Sequence, residues 1–346
     1  MSMNITRRLA GSGLAAVGAS LLLPRAGYAD TAALEQAARK EGTLTWYIAQ
    51  VDGETAELMG RAFTAQYPGV KVSVIRTTGQ VAFERLMQDL KNDSPQCDVF
   101  STTDIAHMPA LRKRNEIANF VPENAAAMAP AFQGLGEDGY YYPTTSTLML
   151  IIYNSQNVKP DEAPKNWPDL LDPKWKGRVA FGHPAFSGYV GCWTLAMRAQ
   201  YGWQFFDKLA KNNPRIGRSG NDPITLLNAG ECAAGLGPLA TTLLSAAKGN
   251  PIALSYPTDG SLLCIGPSAV MAHAPHPNAG RLFQNWLLSK EFAQVCADAY
   301  VTPVREDVTL KPGAKRLSDV KVIRQTTAEI DKGVPEVIEQ WRDTFS

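Results

Sequence analysis

The sequence predicts an α/β protein of two lobes, each a mainly parallel sheet flanked by helices, joined by two crossing strands. Three observations carry this. Strand and helix patterns alternate through the first part of the chain. Two long apolar runs lie far apart at 147–153 and 262–270, and a length of 346 residues exceeds one average core but suits two.

The elements follow in order. A helix over Ala32–Lys40 leads into Thr43–Ile48, where Leu44, Trp46 and Ile48 alternate with Thr43, Thr45 and Tyr47 at the period of a strand. Leu58, Met59, Ala62 and Phe63 recur at helical spacing, and Tyr67-Pro68-Gly69 ends that helix. Val70, Val72 and Val74 make the next strand, followed by a helix around Phe83–Leu90, a short strand at Asp98–Phe100 and a helix from Ile105. Such alternation implies parallel strands with helices on both faces. The run at 147–153 is apolar throughout, as suits a strand buried on both faces. Beyond the proline-rich stretch Pro160–Pro173 come a strand at Arg178–Phe181, a helix from Ser187, a helix ending at Gly230 and a strand at Cys232–Leu236. The second apolar run then precedes a helical pattern carrying Leu282, Phe283, Trp286, Leu287, Phe292 and Val295, with polar-faced helices from Ala314 onward.

The simplest topology places 30–146 and 271–346 in lobe 1 and 154–261 in lobe 2, with 147–153 and 262–270 as hinge strands. A cleft beside such a hinge is a natural ligand site.

A formal charge of +1 provides no broad basic field, so no nucleic-acid partner is expected. Arg7 and Arg8 precede an apolar run from Leu9 to Leu23, then Pro24 and the small residues Gly27 and Ala29 around Tyr28. This reads as a signal peptide over 1–29, cleaved on export to the periplasm, and Thr6-Arg7-Arg8 is similar to a twin-arginine signal. Cys97, Cys192, Cys232, Cys264 and Cys296 contain no Cys-x-x-Cys pair, so neither a zinc spacing nor a redox motif is present. Their odd number leaves at least one thiol unpaired in a monomer, and spacing alone names no pair.

Several segments together resemble one family. The stretch Trp167-Pro-Asp-Leu-Leu-Asp-Pro-Lys-Trp-Lys-Gly-Arg-Val179 is similar to the Trp-x-Asp-Leu…Pro-x-Trp/Tyr-Lys-Gly segment of ABC-transporter solute-binding proteins of the ferric-iron, phosphonate and polyamine group. Ile152-Tyr153-Asn154, Leu227-Asn-Ala-Gly-Glu231 and Pro277–Ser289 fit the same family in the expected order. The resemblance implies a two-lobe periplasmic-binding-protein fold without catalytic activity or resident cofactor. It also implies a small-molecule ligand, an ABC permease as partner, and a monomer.

Candidate ligand residues follow from strand ends and helix starts. Ser187 and Gly188 follow the strand Arg178–Phe181 and open a helix, whose N-terminal N–H groups suit an anion. In the resembling family a Ser-Gly at this place contacts a bound anion. Ser187 as an ordinary helix cap is the bland alternative. Thr145 and Ser146 belong to a hydroxyl cluster, Pro143–Thr147, that suits either a polar ligand or an exposed turn. Ser101, Thr102 and Thr103 sit at one strand end, and Tyr47, Gln50 and Asp52 at another, where open α/β sheets bind ligands. Thr241, Thr242 and Tyr256 lie past two further strand ends. Arg218 is an additional candidate for a bidentate contact, against a plain surface role.

Ferric-binding members hold iron with adjacent tyrosines near Gly237–Thr242, where this chain has none, and Val51 stands at the early histidine place. Tyr140-Tyr141-Tyr142 and Tyr300 keep iron as an alternative. The favoured ligand is a small organic anion: a phosphonate, phosphate ester or carboxylate. A hydrolase is disfavoured, because Ser187 lacks a Gly-x-Ser-x-Gly setting and no histidine lies in a metal or nucleophile motif. A ligand sensor on the same fold is the remaining alternative.

Overall fold

The computed structural model describes residues 31–137 and 139–345; the signal peptide expected at 1–29 lies outside them. The first half contains α1 (Thr31–Glu41), β1 (Thr43–Ile48), α2 (Gly53–Gln66), β2 (Lys71–Arg76), α3 (Gly79–Lys91), β3 (Val99–Ser101) and α4 (His107–Lys113). Next come β4 (Tyr141–Asn154), β5 (Val179–Phe181), α5 (Gly188–Tyr201), α6 (Gln204–Lys211), β6 (Arg215–Ile216), α7 (Asp222–Asn228), β7 (Ala234–Pro238), α8 (Leu239–Ala247) and β8 (Ile252–Ser255). The chain closes with β9 (Ser261–Val270), α9 (Pro277–Trp286), α10 (Lys290–Asp298), β10 (Val322–Ile323) and α11 (Thr327–Phe345).

The strands form one path, β2-β1-β3-β9-β4-β7-β5-β6, with β10 on β9 and β8 on β4. β1 pairs in parallel with β2 and β3, and β5 in parallel with β6 and β7. Between these parallel groups run β4 and β9, antiparallel to each other from Tyr141↔Ala269 to Met149↔Leu262. The first group attaches through β3–β9 and the second through β4–β7.

Each group carries its own aromatic core. On the first, Trp46, Phe63, Phe283 and Trp286 meet mostly edge to face, with ring centroids 4.9–5.7 Å apart. On the second, Trp193 stacks on Phe181 at 5.3 Å and meets Trp167 edge to face at 5.5 Å. Trp167 and the Trp286 helix are therefore scaffold, and all four of these tryptophans are fully buried.

Two expectations are corrected. The hydroxyl cluster 143–147 is neither turn nor loop: it is the interior of β4, which begins at Tyr141 and is buried along its whole length. A register shift between Pro143 and Thr145 lets this proline-containing stretch remain in the ladder. The C-terminal segment also does not stay with the first group. α11 packs on α5 and α6, with Trp341 against Phe206 at 5.7 Å. The close approach rests on glycines: a Cβ at Gly333 would lie 2.5 Å from Leu195, and one at Gly191 2.9 Å from Val334.

Gly235 shows how tightly the second group is built, since a Cβ there would sit 2.2 Å from the Ala180 carbonyl oxygen on β5. Gly235→Ala is expected to cost about 1–3 kcal/mol by overpacking, read as a lower urea midpoint with an unchanged denaturant slope.

Candidate functional site

The C-terminal ends of β1, β2 and β3 face the helix starts of the second group across a cleft of about 680 Å³, part of it open to solvent. Four helices direct their N-termini into it. Asp52 and Thr55 belong to the start of α2, Thr78 and Gly79 to α3, Ser187 to α5, and Pro238, Ala240 and Thr241 to α8. Each N-terminus leaves backbone N–H groups unpaired and carries about half a positive charge. Asp52 and Ser187 cap their own helices, accepting from Thr55 N at 2.9 Å and Val190 N at 3.5 Å. α3 and α8 have no side-chain cap, so their first turns remain available to a ligand.

A cation joins them. Arg76 ends β2, its Nε donates to Val51 O at 2.8 Å, and its guanidinium lines the cleft. Burial lowers its pKa, Asp52 and Asp222 oppose that shift, and a guanidinium stays charged regardless. Three threonine hydroxyls in the lining, Thr78, Thr103 and Thr147 Oγ1, are buried with no hydrogen-bond partner. Such groups cost free energy when left unsatisfied, and they cluster here.

Of the residues expected from sequence, Gln50, Asp52, Thr103, Ser146, Ser187 and Thr241 line the cleft. Gln50 is more than a lining residue. Its Nε2 donates to Pro267 O at 2.8 Å and to Thr102 O at 3.3 Å, while its Oε1 accepts from Thr145 at 2.8 Å. It thereby ties the end of β1 to β3 and to both crossing strands. Thr145 sits one layer behind the cleft, also sharing a hydrogen bond with Tyr189. Ser146 donates to Thr302 O at 3.1 Å. Gly188 abuts the other wall, where a Cβ would lie 2.3 Å from Thr103 O.

The remaining candidates lie outside the lining. Tyr47 points to the opposite face of β1, where its hydroxyl donates to Asp89 at 2.8 Å and accepts from Arg85 Nε at 3.0 Å. Burial and Asp89 push its pKa up to about 12. Ser101 Oγ accepts from Trp46 Nε1 at 2.8 Å and is 2.7 Å from Ser268 Oγ in the core. Thr102 Oγ1 lies 2.9 Å from His107 Nδ1. Thr242 donates back to Pro238 O at 2.8 Å within α8. Tyr256 is distant, packed under Lys315 with its hydroxyl donating to Gly313 O at 3.4 Å. Arg218 is exposed and stacks on Phe186. Period two explains Tyr47, because alternate strand residues face opposite sides.

Sequence reasoning missed Arg76, Thr78 and Gly79. The signal was present, since Arg76 ends a parallel strand and Thr78 and Gly79 follow it, where such sheets bind ligands.

Residues 94–328, more than half of the chain, match the family described as bacterial extracellular solute-binding protein. The chain belongs to this family. As a solute-binding protein it is of the transport type, and its ligand is a small molecule. A Salmonella typhimurium protein, provisionally named as a 2-aminoethylphosphonate-binding periplasmic protein, is 29% identical over 284 residues, covering 78% of this chain and 77% of its own. Among solved structures, the periplasmic binding protein AfuA from Actinobacillus pleuropneumoniae, with exogenous fructose-6-phosphate bound, superposes with a TM-score of 0.78 at 22% identity. That match covers 88% of this chain and 99% of AfuA. Iron-bound HitA from Pseudomonas aeruginosa gives 0.73 at 22% identity, covering 87% and 99%. These likenesses establish the two-lobe fold of the solute-binding protein.

Behind the cleft, His107 is buried, stacked on Phe83 at 4.1 Å, and held below its ordinary pKa by burial despite Asp104 3.7 Å away. The unfolded chain therefore takes up this proton first, near pH 6.5. Stability from His107 is complete above that pH and declines below it. The urea midpoint is expected to fall between pH 7.5 and 5.5. His107→Gln should lessen the fall, with His183, also held low by burial, supplying part of the rest. An identical pH profile in the variant would refute the assignment.

Proposed function

We propose that this solute-binding protein captures a small organic anion bearing a phosphonate or phosphate-ester group and delivers it to an ABC permease. One observation carries the reading: the N-termini of α2, α3, α5 and α8 converge on the cleft together with Arg76. Such an arrangement solvates an oxyanion with fixed dipoles and a charge-assisted donor. The orphaned hydroxyls of Thr78, Thr103 and Thr147 supply further donors for a group with several oxygens. The relative named for 2-aminoethylphosphonate and the neighbour holding fructose-6-phosphate both point to phosphorus oxyanions.

Iron fits the donor set poorly. The one tyrosine in the lining, Tyr189, has its pKa driven far upward by burial, which opposes the phenolate that a ferric ion requires. Tyr141 and Tyr142 are strand-core residues, Tyr140 lies under Arg112, and Tyr300 under Lys311. Among the described residues no group of three or more His, Cys, Asp or Glu is placed to hold a metal ion.

In this reading β4 and β9 act as the hinge, the parallel groups on either side are the closing lobes, and the cleft is the binding site. The protein works as an exported periplasmic monomer, freed of a signal peptide at 1–29, with no catalysis and no nucleic-acid partner. Closure brings Gly188 of α5 against the Thr103 carbonyl, and pairs Lys248 of α8 with Glu54 of α2 at 2.6 Å. That pair is exposed at the rim and contributes little.

Calorimetric titration with phosphonates, phosphate monoesters, carboxylates, polyamines and Fe(III) tests the ligand class. Phosphorus oxyanions should bind, and Arg76→Ala should weaken them about 10- to 100-fold, as expected for a hydrogen bond to a charged group. Heat with Fe(III) alone would defeat the proposal. Gly188→Ala tests closure separately: its Cβ blocks the Thr103 contact, so affinity should drop while the ligand-free melting temperature stays close to the parent's.

A further inference from the structure

We propose that Cys192 and Cys264 are joined by a disulfide in the exported protein, bracing α5 against the crossing strand β9. This goes beyond the ligand reading and does not depend on it. Both cysteines are buried, and α5 packs directly on β9. Cys264 Sγ lies 3.9 Å from the carbonyl oxygen of Tyr189, the residue one turn before Cys192 on α5. The two side chains belong to the same buried cluster. They also line one cavity with Thr103, Ile105, Leu263 and Ile330, which leaves the sulfurs room to move to the roughly 2 Å of an S–S bond.

The other three cysteines have no such neighbour among the described residues. Cys97 lies near Asp98 and Asp89, Cys232 near Arg215 and Glu231, and Cys296, on α10, is enclosed by the core of the first group. One bridge and three free thiols account for the odd number.

The chemistry is thiol–disulfide exchange. One cysteine thiolate attacks the disulfide of an oxidising exchange protein in the same compartment, giving a mixed disulfide and releasing one of that protein's thiolates. The second cysteine then attacks the mixed disulfide. Cys192–Cys264 forms, and the exchange protein leaves as a dithiol with both electrons and both protons. Burial pushes the Cys264 thiol well up, which disfavours its thiolate in the folded chain.

Its position matters to the cleft. Cys264 is the register partner of Thr147, whose side chain lines the cleft, and α5 carries Ser187 and Gly188 at its start. A bridge here ties the anion-facing helix terminus to the crossing pair from behind.

The test uses the full chain exported to an oxidising periplasm, with cells quenched in acid and the protein alkylated in denaturant without reductant. Peptide mass mapping should find label on Cys97, Cys232 and Cys296. A Cys192–Cys264 cross-linked pair should separate only on reduction. In Cys192→Ala and in Cys264→Ala the partner left behind should become labelled, raising the count from three to four. The readout is taken on the denatured chain, so neither variant has to bind ligand. Five labelled cysteines in the parent, or a bridge involving any of the other three, overturns the proposal. A failure of phosphonate binding leaves this result untouched.

Discussion

The antiparallel ladder between β4 and β9 is the contact on which the architecture hangs. Every strand of the first parallel group reaches the rest of the sheet through β3–β9, and every strand of the second through β4–β7. β4 leaves the first group and β9 returns to it, so their pairing from Tyr141↔Ala269 to Met149↔Leu262 is the shared spine of both halves. Antiparallel pairing is a geometric consequence of one outward and one returning crossing. Gln50 reinforces the junction by bonding to β3's end, to Pro267 and to Thr145. Gly266 is required beside it, because a Cβ there would lie 2.3 Å from Thr145 Oγ1 and 2.5 Å from the Gln50 side chain.

This spine also decides where polarity can be buried. Parallel strands put their C-terminal ends, and the helix starts that follow them, on one edge of each group. Placing two such edges face to face brings four helix N-termini together without a large excess of charged side chains. A net charge of +1 does not conflict with the anion site proposed above, since its donors would be backbone N–H groups and Arg76 rather than a lysine-rich surface. The unsatisfied threonine hydroxyls fit the same logic: their hydrogen-bonding capacity is held open where a solute would fill it.

Much of this was legible in the residues. Period-two alternation in Thr43–Ile48 and the apolar runs near 150 and 265 located the strands, and the Ser187 cap lay where a strand gave way to a helix. Legibility failed where a residue's neighbours come from distant sequence. Ser101, Thr102 and Thr242 stand at strand or helix ends, as expected of site residues. Their hydroxyls are taken up by Ser268 and Trp46, by His107, and by Pro238 O. Tyr47 shares its strand end with Gln50 yet turns to the other face, toward Asp89. Arg76, at the end of β2, was not singled out in the sequence; the fold sets it against Val51 and into the cleft.

By itself the sequence determined the fold class, the crossing strands and the family, because these rest on local periodicity and on segments contiguous in the chain. Only the tertiary structure decided which hydroxyls remain unpaired, that α11 crosses to the second group, and that Cys192 and Cys264 line one cavity although 72 residues apart in sequence. Those outcomes depend on which surfaces meet when two separately patterned sheets pack. No local pattern encodes the partner that a side chain finds on the far side of a cleft.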